Sequence, residues 1–239
     1  MAWHINELKL NVSKLYGEAQ RKVLDESLDS IFENQDFSRF HYAEVQRRLQ
    51  EHMIGKSSSH DYVRLILTED KDVLNAEYEF NLAYRANVFA LLKNLHSVTD
   101  FLAHVIYYSF GLNTRRDTSI QLDKLNLYHT KKSLEKVGVP DSLMNLLISL
   151  TEHDDYVYLK DLVNHTKHRS NILSKLTYDS NKTGTDIYQM AFLPFEKHGS
   201  VAVNEFLHRE YNRQSELIID IGQQINHSVR CLLAKCSRV

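Results

Sequence analysis

Apolar residues recur at intervals of three and four along most of this chain, the spacing of one face of an α-helix. Leu15, Val23, Leu24, Leu28, Ile31 and Phe32 mark an amphipathic helix over Val12–Asn34, and Asp36–Met53 predicts a second. GKSSSHD, Gly55–Asp61, reads as a connection; its GKS lacks the longer glycine pattern of a phosphate loop. No proline or glycine interrupts Asp70–Phe110, where Leu91, Leu92, Leu95, Val98, Thr99, Leu102, Val105 and Ile106 form an apolar stripe. Such a helix would reach about 60 Å. A bend is expected near Asn75–Asn81, and Gly111 supplies the stop.

Thr118–Val137 predicts a further helix. GVPDS at Gly138–Ser142 is a boundary, with Asp141 or Ser142 placed to cap a helix reaching about Leu150. TEHDD then breaks the pattern, and Tyr156–His168 is helical again. Beyond Arg169 the texture changes. Ile172–Tyr178 and Asp186–Phe195 are β-branched and aromatic, and DSNKTG between them is turn chemistry. Pro194 and EKHGS close that hairpin, and Val201–Lys235 returns to helical spacing.

The expected fold is therefore all-α. It is a mainly antiparallel bundle of five to seven helices with one β-hairpin inserted at 172–195. One domain covers 1–239, and the helices of 1–60 pack on the bundle. The helices over Leu82–Phe110, Asp155–His168 and Val201–Lys235 form its centre.

Composition agrees: two prolines and seven glycines in 239 residues leave few helix breakers. A net charge of −2 excludes a global pull on nucleic acid. Charge is uneven, however. Asp25–Asp36 carries Asp25, Glu26, Asp29, Glu33 and Asp36 with no Lys or Arg, whereas Arg115, Arg116, Lys124, Lys131, Lys132 and Lys136, then Lys160, Lys167, Arg169 and Lys175, gather positive charge. Cys231 and Cys236 would point about 140° apart on a helix, too divergent for a disulfide with each other, which suits a reducing compartment. The N-terminal residues lack the pattern of a secretory signal, and no apolar run reaches about 18 residues. A cytoplasmic protein without a membrane span is expected.

Candidate chemistry concentrates on Leu159–Arg169, LKDLVNHTKHR. At about 100° per residue, Asp161, Asn164 and His168 share one sector, opposite Leu159, Leu162, Val163 and Thr166. Asn164 and His168 are i,i+4 neighbours that can converge on one target. His168 has the chemistry of a general acid or base, and Asn164 that of an orienting amide. Lys160, His165, Lys167 and Arg169 are candidate phosphate contacts. The same residues also suit a solvated helix face making i,i+4 contacts only. A second group, His96, Asp100 and His104, has the spacing of metal ligands along a helix, or of a His/Asp ladder. Signatures of serine or cysteine nucleophiles, dinucleotide binding and zinc peptidases are absent. No cofactor is expected.

Three segments, NLHSVTDFLAHVIY (Asn94–Tyr107), YLKDLVNHTKHRSNIL (Tyr158–Leu173) and FLHREYNRQSELIIDIGQQIN (Phe206–Asn226), together resemble bacterial HEPN-like proteins. The likeness spans about Ala76–Asn226. It implies a small helical bundle from a toxin–antitoxin, abortive-infection or phage-defence locus, working as a homodimer beside a partner protein. It also implies a metal-independent endoribonuclease, in which the ribose 2′-hydroxyl attacks the adjacent phosphate, or a protein that binds RNA or nucleotide without cutting. In the family an Arg, a polar residue and a His occupy one late helix. Asn164 matches the polar position and His168 the histidine, while Val163 stands in place of the Arg. A branched apolar side chain cannot hold a phosphate. The resemblance thus leaves open an RNA-binding protein, a ribonuclease with an altered motif, and a non-catalytic interaction or regulatory subunit.

Overall fold

The computed structural model describes residues 3–56, 58–179, 181–182 and 187–236. Among them are eight α-helices: α1 (Ile5–Tyr16), α2 (Glu18–Met53), α3 (Ser59–Leu67), α4 (Lys71–Ser109), α5 (Leu127–Val137), α6 (Asp141–Thr151), α7 (Asp154–His168) and α8 (Val203–Cys236). The chain is a helical bundle, and among the described residues no helix is long and apolar enough to cross a membrane. Its contacts divide into two compact units. One comprises 1–36, 96–157 and 212–239, the other 37–95 and 158–211, so α2, α4, α7 and α8 contribute to both.

The first unit is built on helical spacing. Leu8 and Val12 of α1, Leu24, Leu28 and Ile31 of α2, and Leu102, Val105 and Ile106 of α4 are fully buried. With Leu134 of α5, Leu143, Leu147 and Leu150 of α6, and Ile221, Ile225 and Val229 of α8 they form one hydrophobic cluster. The buried Gln20 amide is matched: Nε2 donates to the Tyr108 carbonyl and to Asn113 Oδ1, both at 2.8 Å. Gly222 of α8 lies against Trp3, whose ring occupies the place a Cβ there would take.

In the second unit Tyr84, Val88 and Leu91 of α4, Leu159, Leu162 and Val163 of α7, and Val203, Phe206 and Leu207 of α8 are buried. α3 opens with a capping box in which Ser58 and Asp61 satisfy each other's backbone N–H groups. Two small antiparallel ladders belong here: β1 (Thr177–Tyr178) with β2 (Tyr188–Gln189), and β3 (Ala191–Phe192) with β4 (Val201–Ala202).

Several boundaries differ from the pattern-based expectation. The first two helices divide at Gly17, at φ 90°, and α2 runs unbroken through 34–36, because nothing there interrupts the ladder. α4 is likewise continuous through Asn75–Asn81, a stretch without proline or glycine. Residues 118–126 hold only a short 3-10 turn, since Asn126 accepts a hydrogen bond from the His129 N–H and so starts α5 there. α6 carries no side-chain cap from Ser142, which lies inside the helix. The expected hairpin is present as β1–β2, its turn lying partly outside the described residues. A second ladder follows, because Phe195 and His198 exchange backbone hydrogen bonds at 3.1 and 2.8 Å and turn the chain back toward β4.

Candidate functional site

α7 carries Asp154 and Asp155 in its first turn and His165, Lys167 and His168 in its last. The carboxylates and the Lys167 ammonium each sit at the end of the helix dipole that favours them, worth about 0.3–1 kcal/mol per group at an exposed terminus. Tyr158, Leu159, Leu162 and Val163 face inward, and Val163 is 1% exposed. The inner face leaves two polar stripes, and they are differently occupied.

One stripe is Asp161, His165 and Arg169, at i, i+4 and i+8, and it is latched to the tight turn at Phe195–His198. Asp161 Oδ2 accepts a hydrogen bond from His198 Nε2 at 2.9 Å and lies 3.5 Å from Lys197 Nζ. Burial works against ionisation of Asp161, but the His198 hydrogen bond and the Lys197 charge outweigh it and hold the carboxyl below its ordinary pKa. Arg169 Nη1 contacts Glu196 Oε1 at 3.0 Å, and His165 Nδ1 lies 3.9 Å from the same oxygen. His165 also stands edge-on to Phe195, with centroids 5.2 Å apart. Glu196 has φ 47°, a conformation that costs a non-glycine residue about 1–2 kcal/mol.

Beneath this latch Tyr158 is packed edge-on against Phe195, His198 and Phe206. Its hydroxyl is buried without a hydrogen-bond partner, and burial raises its pKa.

The other stripe is Lys160, Asn164, Lys167 and His168. All four are exposed. At about 100° and 1.5 Å per residue they occupy a sector of about 100° and a length of about 12 Å. Among the described residues, none of the four side chains has a hydrogen bond or ion pair. Asn164 and His168 are thus brought onto one open face with Lys160 and Lys167, while Arg169 and His165, expected to join them, are drawn to Glu196.

His96, Asp100 and His104 do not converge: no three of their ligand atoms come within 4.8 Å of one another. The His96 ring lies parallel to Tyr156 at 6.4 Å, and His104 tilts against Tyr108 at 6.1 Å. Burial lowers the pKa of His104, against the opposing charge of Asp100.

Glu196, Lys197 and His198 were missed by pattern reading, which took EKHGS only as the end of a hairpin. Their signal was complementarity. Asp161, His165 and Arg169 run acid, imidazole, base along α7, and the turn supplies Glu, Lys and His to meet them.

No family model matches the chain, and no curated protein or solved structure matches it.

Proposed function

We propose that this protein is an HEPN-like RNA-binding protein of a bacterial defence or stress system, which holds the RNA backbone along the open stripe of α7. The observation that carries this reading is the set of four exposed, unpartnered side chains, Lys160, Asn164, Lys167 and His168. Two ammonium groups, an amide and an imidazole, spread over about 12 Å, suit successive phosphates and a ribose hydroxyl. The protein acts in the cytoplasm, as a homodimer and beside a partner encoded in the same operon.

Binding is favoured over cutting for two reasons. 2′-Hydroxyl attack needs a base near the ribose and a cation near the phosphate that gains charge. His168 supplies the first. For the second the stripe offers only the point charges of Lys160 and Lys167, since Val163 is buried and the Arg169 guanidinium, which could clamp a phosphate bidentately, is held by Glu196 at 3.0 Å. The alternative of a non-catalytic interaction subunit is favoured by Leu74, Tyr78 and Leu82, an i, i+4, i+8 stripe on α4 that is 45, 68 and 58% exposed.

The test is anisotropy titration of a labelled single-stranded RNA with wild-type protein and with Lys160→Glu/Lys167→Glu. Saturable binding weakened at least tenfold, about 1.4 kcal/mol, supports the assignment. Wild-type protein that does not bind RNA refutes it. In parallel, mixed cellular RNA is read for 2′,3′-cyclic ends; their appearance with wild-type protein and loss with His168→Ala would replace binding by cleavage.

A further inference from the structure

A cleft of about 810 Å³ opens in the second unit, sharing no residue with the α7 stripe. Its volume lies within the range of about 300–1,000 Å³ usual for small-molecule sites. Leu65 and Ile66 of α3 and Leu173 and Leu176 from the segment after α7 give it apolar walls. Tyr62 of α3 ties one wall to the other by donating to the Leu176 carbonyl at 3.1 Å.

The charges at this cleft are uneven. Arg85 of α4 reaches the opposite wall, where Nη1 donates to the Leu173 and Ser174 carbonyls at 2.9 and 3.0 Å. Those acceptors are neutral, so they place the guanidinium without cancelling its charge, and its other N–H donors remain. Lys175 lines the same cleft and is exposed. Among the described residues neither cation has a carboxylate partner. The one lining carboxylate, Glu77, is directed elsewhere, 2.9 Å from His52 Nε2. Asn81, one turn from each of Glu77 and Arg85, turns its amide nitrogen back to the Glu77 carbonyl at 2.8 Å.

Apolar walls with two cations that form no ion pair among the described residues, against one carboxylate turned toward His52, select a ligand with an apolar body and an anionic head. We infer that this cleft binds a monomeric carboxylate amphiphile of the fatty-acid class. Its hydrocarbon chain lies between Leu65, Ile66, Leu173 and Leu176, and its carboxylate meets Arg85 and Lys175. A carboxylate matches the planar donors of a guanidinium already held in position. Each methylene taken fully out of water contributes about fourfold in affinity, so affinity should climb with chain length until the cleft is filled.

The test is calorimetric titration of the full chain with dodecanoate, kept below its micelle-forming concentration, beside decanoate and dodecyltrimethylammonium. The expected result is one saturable site for dodecanoate, weaker binding of decanoate, and at least tenfold weaker binding of the cationic amphiphile. Lys175→Glu and Ile66→Asp alter exposed side chains and should leave the helical circular dichroism signal unchanged, yet each should weaken dodecanoate about tenfold. Absence of a saturable site, equal affinity for the cationic amphiphile, or unchanged affinity in both variants would overturn the assignment. RNA binding at α7 is measured separately and does not depend on any of these results.

Discussion

Asp161 and His198 meet at 2.9 Å, and this contact joins α7 to a turn that lies 37 residues further along the chain. Because the carboxyl pKa is lowered in the folded state, its contribution is fully present above the ordinary value near 3.9. It is lost as pH falls through the lower, folded-state value. Asp161→Asn should therefore lower the melting temperature at neutral pH and have a smaller effect in strong acid. Thermal melts of both proteins between about pH 2 and pH 7 check this, and an equal loss at every pH would contradict it.

RNA binding through the α7 stripe should depend on salt. Two lysines facing phosphates on a single strand give a slope of log affinity against log salt of about −1.4. Anisotropy titrations at several salt concentrations should show the slope falling toward zero in Lys160→Glu/Lys167→Glu. A slope that the double substitution leaves unchanged would move the interface elsewhere.

Gly222→Ala should destabilise the first unit by about 1–3 kcal/mol, because the new methyl overlaps the Trp3 ring. Trp3 is the only tryptophan, and its Nε1 donates to Asn226 Oδ1 at 3.1 Å. Its fluorescence therefore reports the displacement directly. Denaturant unfolding with an unshifted emission spectrum and an unchanged midpoint would rule the clash out.

Tyr158→Phe should be neutral or stabilising, by up to about 1 kcal/mol, since it removes a buried hydroxyl that has no partner. Phe206→Ala, which empties space beside the same ring, should cost about 3–5 kcal/mol. Chemical denaturation separates the two, and a clear loss from Tyr158→Phe would mean that the hydroxyl is satisfied in solution.

Exposed and buried leucines give the sharpest contrast within one helix. Leu102→Ala should cost about 2–5 kcal/mol, while Leu82→Ala, at a side chain 58% exposed, should stay within about 0.5 kcal/mol. Matched denaturation curves decide it.

Much of the helical architecture was legible from periodicity. The stripe from Leu91 to Ile106 is buried as its spacing requires, and α7 and α8 begin and end within two residues of their pattern-based limits. What escaped was set by single local interactions or by distant ones. The Asn126 cap shortens α5, and no apolar count distinguishes a capping amide from any other polar residue. The Phe195–His198 turn places Glu196 at φ 47°, where propensity would ask for glycine, and its side chain meets Arg169 at the end of α7, a partner remote in sequence. At the candidate site the grouping of Asn164 with His168 followed from helix geometry alone. The diversion of Arg169 and His165 to Glu196 did not, because it depends on a turn no helical wheel contains.

Neither compact unit is a contiguous stretch of chain: one is assembled from three segments and the other from two. The first cannot close until 212–239 has joined 1–36 and 96–157, which precede it in the chain. Cutting the chain at any single point within 37–211 divides both units, and should accordingly yield no independently folding half.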